Sequence, residues 1–262
     1  VRRYLTLFSI QIKAAVLLSM QYRVDFLIQG VMALFWCGTA LVPLLVLFSQ
    51  RPGVAGWNAP EALIVVGFFM ALKGFLVGVI QPSLSNVVEH IRKGTLDFLL
   101  LKPADAQFLL STSKLDLPRI VDVLAGASLV VWALTRIARP PTASDIALSL
   151  LSLLCAIVIL YAIWIMIVSL SFHVVKIDNL SHLIVSTFDA ARWPSSVFRG
   201  ALSFLFTFVV PLTLMTTYPA LALLGRLTGF NVATSLGVSA VFFFASRRVW
   251  LRSIRSYTGA GG

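Results

Sequence analysis

Six stretches of this chain run for about twenty residues or more with almost no charge, roughly 26–48, 61–80, 118–137, 146–174, 198–217 and 231–249. At about 1.5 Å per residue, each is long enough as a helix to cross about 30 Å of hydrocarbon. No other feature constrains the fold as strongly. A chain in lipid must satisfy its own backbone polar groups, which leaves helices and closed barrels. These runs are continuous rather than alternating, so helices are expected. The expected fold class is therefore an all-α polytopic membrane protein, with residues 1–262 forming a single transmembrane domain. Composition agrees, since only 12% of residues are charged, about half the share of a soluble domain. The fourth run is overlong and is expected to tilt or to extend into water.

A formal net charge of +11 does not indicate nucleic acid, because the basic residues sit at the ends of the apolar runs. With the N-terminus inside, Lys and Arg gather on the cytoplasmic side. Arg51, Arg136, Arg139 and Arg226 fall on the other, and Lys73 falls within a span. This is the positive-inside pattern, and it puts both termini in the cytoplasm. Residues 1–24 read as an amphipathic interfacial helix: Arg2, Thr6, Ser9 and Lys13 share one face, and Leu5, Phe8, Ile12 and Val16 another. Trp193 and Trp250, beside arginines at expected helix ends, read as interfacial anchors.

Residues 176–230 admit two arrangements. In the simple one, 198–217 is the fifth span, Arg192 and Arg199 lie in a cytoplasmic loop, and 208–230 forms a re-entrant segment at the outer surface. In the other, 179–191 begins the span, RWPSSVF lies deep, and 198–217 is partly re-entrant. Pro194, Pro211 and Pro219 permit broken helices.

Catalytic patterns are missing from the sequence. It has no HExxH pair, no GxSxG turn and no GxxxxGK[ST] loop for ATP, and His90, His173 and His182 are scattered. Cys37 and Cys155 each lie inside an apolar run and read as inert thiols. No metal site and no cofactor is expected on the chain, and an enzyme is disfavoured. The one ionisable residue at membrane depth that calls for a role is Lys73. Gly67, Gly74 and Gly78 flank it and would allow close helix contact. Two readings stand for Lys73: it faces a hydrated cavity and attracts an anionic headgroup, or it snorkels or pairs with an acid of a neighbouring helix. Asp122 is a possible acid, and Asp122 pairing locally with Arg119 is the alternative.

The longest polar stretch between spans is 82–116. In PSLSNVVEHIRKG, Leu84, Val87, Val88 and Ile91 fall on one helical face, and Ser85, Glu89, Arg92 and Lys93 on the other. Gly94 is placed to end that helix, with cations in the last turn favouring its dipole. The periodicity predicts a short amphipathic helix exposed on the cytoplasmic side.

The segments RKGTLDFLLLKP (92–103), LDLPRI (115–120) and RWPSSVFRG (192–200), with FVVPLTLMTTYPALALLG (208–225), carry a resemblance over nearly the whole chain. They resemble the permease subunits of type 2 ABC exporters, specifically a branch of about 260-residue permeases often encoded in pairs. The resemblance implies six spans, an N-terminal interfacial helix, a coupling helix between spans two and three, and a broken segment before span six. It also implies a bacterial cytoplasmic membrane location and a second permease, either a copy or a related chain. Two separate ATP-binding subunits would carry ATP and magnesium. On this reading Val87, Glu89, His90, Arg92, Lys93, Gly94, Thr95 and Asp97 form the interface with the ATPase. Lys73 and Asp122 are candidates for the pathway or for buried polar positions. The apolar spans suggest an amphiphilic or hydrophobic substrate. The competing reading is a self-contained secondary transporter or channel, which would ordinarily need more membrane-embedded polar residues or a visible repeat.

Overall fold

A computed structural model describes residues 2–51, 53–172, 185–198 and 200–257. Among these the chain is helical, with a single two-residue bridge outside the helices. The long helices are α1 (Arg2–Gln21), α2 (Arg23–Gln50) and α3 (Ala59–Phe75), the last of which runs through a π turn (Leu76–Ile80) into α4 (Gln81–Arg92). Short helices α5 (Asp97–Leu100) and α6 (Ala106–Ser111) lead to α7 (Ile120–Leu134) and α8 (Ala143–Leu170). After α9 (Ala201–Phe204) and α10 (Tyr218–Leu223), α11 (Gly229–Arg255) closes the bundle. Among the described residues, six helices are long and apolar enough to cross a membrane: α1, α2, α3–α4 as one, the segment Leu117–Leu134 containing α7, α8 and α11.

Helix α3 is the centre of the core, with Ala62, Ile64, Val65, Val66, Phe69 and Leu72 almost wholly buried. Its start is held by a reciprocal cap. The Asn58 side chain accepts from the Glu61 amide, and the Glu61 carboxylate accepts from the Asn58 amide. Its main partner is α7, and glycines set the distance between them. A Cβ on Gly67 would stand 2.8 Å from the Gly126 carbonyl oxygen, and one on Gly126 would stand 2.5 Å from that of Gly67. Gly74 and Gly78 lie equally close to the α7 end, against Asp122 and Arg119. Backbones approach here because no side chain intervenes, as the sequence led one to expect of Gly67, Gly74 and Gly78. On the other flank α8 packs along α11 through small residues, with Ser235, Ser239, Ser246 and Ser253 buried on α11.

The π turn at Leu76–Ile80 has a local cause. The α-helical partner of the Gly78 carbonyl would be the amide of residue 82, and Pro82 has none. That carbonyl instead accepts the Asp116 amide at 2.8 Å. Beside it, buried Ser83 bonds both the carbonyl and the amide of Lys114. The residues that lead into α7 are thereby tied to the α3–α4 junction.

The structure corrects the fifth span. Residues 198–217 do not form one helix: the π turn Leu205–Val209 ends at non-helical Val210 (φ −118°, ψ 86°), Pro211 follows, and a second π turn (Thr213–Thr217) leads into α10. A residue before proline is driven out of the helical region, which is where this helix breaks. Ser196 lies at the same end of the bundle as the start of α3, because its hydroxyl accepts from the Trp57 indole at 3.0 Å and donates to the Ala55 carbonyl at 3.0 Å. Arg192 is therefore not in a loop with the α4–α6 segment. It lies inside the bundle against Phe69. Arg199, and Lys176, which the positive-inside pattern also puts on the cytoplasmic side, lie outside the described residues, as do the start of the alternative span at 179, His173 and His182. Trp250 is also corrected: it is 1% exposed and packs edge-on against Phe172, so it is core and not an interfacial anchor.

Candidate functional site

The α4–α6 segment stands at one end of the bundle, opposite the Trp57–Ser196 end. Helix α4 is not a separate connector. It is the last part of a single 34-residue helical run from Ala59 to Arg92, about 51 Å long. The run ends as the sequence indicated. Gly94 has φ +64°, the Thr95 amide donates to the His90 carbonyl at 3.0 Å, and the Gly94 amide to that of Ile91 at 3.2 Å. This is a Schellman closure, in which glycine takes the left-handed position that costs other residues strain.

The expected interface residues divide between two faces of α4. Val87 is 0% exposed and belongs to the core, with Leu84 and Val88; it supports the polar face from beneath. Glu89, Arg92 and Lys93 are exposed, and Glu89 pairs with Lys93 at 2.6 Å. The His90 ring bridges Asn86 (3.3 Å) and the Thr95 hydroxyl (2.8 Å), so it pins the turn after Gly94. Asp97 begins α5 and is partly exposed. Beyond the charged residues stand two apolar side chains that composition did not single out, Phe98 at 71% exposure and Leu101 at 82%.

A second cluster behind this surface went unseen in the sequence. Arg247 of α11 binds Asp105 with both terminal nitrogens, at 2.6 and 3.3 Å, and also donates to Gln107. Gln107 donates to the Tyr161 hydroxyl at 3.0 Å, which also meets Ser111 at 2.7 Å. On the far side the Asp105 amide donates to the Tyr4 hydroxyl at 3.3 Å, and the Tyr4 ring meets Phe108 edge-on at 4.9 Å. One network thus joins α1, the α5–α6 loop, α8 and α11. Burial alone would raise the Asp105 carboxyl. The Arg247 guanidinium, with the Phe108 and Gln107 amides, outweighs that and holds it below the usual aspartate value. Only the polar, widely spaced identities of Tyr4, Asp105, Gln107 and Arg247 were visible in sequence, and no local pattern connects them.

Lys73 and Asp122 line one cavity of about 480 Å³ between α2, α3, the start of α7 and residues 189–192. The structure does not pair them. Lys73 bonds Asp189 at 2.6 Å, an acid 116 residues away, while Asp122 faces Arg119 at 3.7 Å. Of the two arrangements left open, the local Asp122–Arg119 pair is the one adopted. Lys73 and Arg192 both lie over the Phe69 ring, each 5.5 Å from its centre. The other wall is α2, with Trp36, Cys37 and Ala40. Cys37 contacts Met70 at 3.3 Å, Cys155 is buried, and both thiols are free.

Residues 34–261 match the family model described as ABC-2 family transporter protein. Neither the curated proteins nor the solved structures include a match to the chain.

Proposed function

The chain belongs to the ABC-2 transporter family as a type 2 permease subunit, and from that premise we propose that its α4–α6 end docks a separate ATP-binding subunit. Two such subunits, which bind ATP and magnesium, serve a pair of permeases made of two copies of this chain or of this chain and a relative. The chain itself does no chemistry. It forms half of a pathway through a bacterial cytoplasmic membrane, with both termini in the cytoplasm, and exports an amphiphilic or hydrophobic substrate.

One observation carries this reading: exposed Phe98 and Leu101 stand beside exposed Glu89, Arg92 and Lys93 at the tip of a helix continuous with the core. Apolar anchors rimmed by charge suit a protein partner. Closure of the ATPase on ATP would push on Glu89, Arg92 and Lys93. Because α3 and α4 form one helix and α3 meets α7 backbone to backbone, the push would move both as a body rather than bend a linker. Helix α1 fits the interfacial role: it has no buried residue, and its contacts with Asp105, Phe108 and the 3-10 turn Leu117–Arg119 are all at the docking end.

The test is ATPase stimulation by the reconstituted complex. Reversing both charges (Glu89→Lys with Arg92→Glu), or replacing Phe98 and Leu101 together by Ser, is expected to abolish stimulation while membrane insertion stays normal. Unchanged stimulation in both variants would reject the docking assignment.

A further inference from the structure

We propose that the cavity between α2, α3 and residues 189–192 holds the phosphate-bearing headgroup of an anionic amphiphile, with its tail along α2. The proposal deepens the export reading and rests on it only for the claim that the amphiphile is cargo.

Charge is the first argument. The wall carries Lys73, Arg119 and Arg192 against Asp122 and Asp189, one cation in excess on the wall itself, which Asp116 offsets from behind it at 3.6 Å from Arg119. The second is how those cations are engaged. Lys73 and Asp189 satisfy each other at 2.6 Å. The two guanidinium groups do not find such partners. Arg192 gives its Nε to the Asp189 backbone carbonyl and stands 3.7 Å from the carboxylate. Arg119 has its buried, unbonded Nε 3.6 Å from Asp116, and a terminal nitrogen 3.7 Å from Asp122 on the cavity wall. These are ion-pair distances longer than hydrogen bonds, so donor capacity remains. A planar guanidinium spends such donors best on two oxygens of one anion, as a phosphodiester offers.

The third argument is the opposite wall. Trp36 lines the cavity yet is 62% exposed, and Met32, one turn before it on α2, and Phe35, whose ring meets it edge-on, are exposed too. A charged cavity that opens onto an apolar helix face matches a ligand with an anionic head and a hydrocarbon tail. A volume of about 480 Å³ falls in the range of small-ligand sites.

The purified chain in detergent would be titrated with brominated phosphatidylglycerol or brominated phosphatidylcholine, with Trp36 quenching read as the difference between wild type and Trp36→Phe. Phosphatidylglycerol is expected to reach half-quenching at a several-fold lower mole fraction. That preference should vanish in Arg119→Gln with Arg192→Gln, and should fall in Arg192→Gln alone if the double variant fails to fold. Equal quenching by the two lipids in wild type would overturn the proposal. So would loss of the preference to millimolar inorganic phosphate, which would assign the site to the free ion. The readout needs no ATPase: failure here leaves the docking assignment intact, and failure of the docking variants leaves this site intact.

Discussion

Arg247 holds both carboxylate oxygens of Asp105 across 142 residues of chain, at 2.6 and 3.3 Å. The contact fastens the loop after the proposed docking helix to α11, and through Gln107 and Tyr161 to α8. A load applied at the α4–α6 tip therefore meets two long helices besides α3. The pair is about a third exposed on each side, so solvent screening limits what it contributes to stability to about 1 kcal/mol. Asp105→Asn should lower the thermal unfolding midpoint in detergent only slightly. In the complex it should reduce ATPase stimulation more than that small loss of stability explains. The double reversal Asp105→Arg with Arg247→Asp should recover part of the loss.

The same pair has a predictable pH dependence. The folded Asp105 carboxyl titrates below its ordinary value, so the folded state binds its proton less readily than the unfolded chain does. Its stabilising contribution is complete above the unfolded value of about 3.9 and is lost as pH falls through the lowered folded one. The difference in midpoint between wild type and Asp105→Asn should be constant from pH 8 to about pH 5 and should shrink below about pH 4. A difference that grows on acidification would contradict the assignment.

The α3–α7 crossing predicts a sharp contrast between glycines. Gly126→Ala puts a Cβ 2.5 Å from the Gly67 carbonyl oxygen and 2.6 Å from the Ala71 amide nitrogen. Backbone must move, at a cost of about 1–3 kcal/mol. Gly38→Ala on α2 meets nothing within 4 Å and should be neutral, or stabilising by up to about 1 kcal/mol through helix propensity. Thermal unfolding of the two variants side by side checks this, and equal shifts would refute the packing argument.

Gly94→Ala should strain the closure of α4 by about 1–2 kcal/mol, because alanine resists the φ of +64° that glycine adopts there. Gly94→Asn should cost less, since asparagine visits the left-handed region more readily. Hydrogen exchange of the Gly94 and Thr95 amides, which are bonded to Ile91 and His90, would report the fraying directly. Both amides should exchange faster in Gly94→Ala than in Gly94→Asn.

Lys73 and Asp189 should behave as a coupled pair. Asp189→Asn leaves Lys73 without its 2.6 Å partner, and Lys73→Met leaves the acid facing Arg192 at 3.7 Å. Removing both should cost less than the sum of the single losses, by about 1 kcal/mol in a double-mutant cycle on unfolding midpoints. Additive losses would mean that the contact carries no energy.

Much of the architecture was legible in the chain because membrane helices announce themselves locally. Five of the six apolar runs correspond to long helices, and α4 closes where amphipathic spacing and Gly94 placed its end. The run 198–217 misled for a physical reason: hydropathy scores side chains, and a straight helix and one broken at Val210–Pro211 present the same side chains. Proline allowed a break there but did not require one. Trp250 misled in the same way, since a helix-end tryptophan beside arginines looks like an anchor until Phe172 covers it. The candidate site was partly readable. Glu89, Arg92 and Lys93 stand outward as their helical face implies, while the burial of Val87 follows from that same periodicity.

The sequence by itself therefore determined the solvent in which this protein folds, its helical class, the polar face of α4 and its glycine terminus. All of these depend on residues within a few turns of one another. The tertiary structure alone decided the partners: Asp189 for Lys73, Asp105 for Arg247, and Asp116 for the carbonyl that Pro82 leaves open. Charges and orphaned backbone groups must be satisfied inside a bundle, but local sequence does not say by whom. The answer depends on which helices pack together, and glycine contacts such as Gly67 against Gly126 settle that.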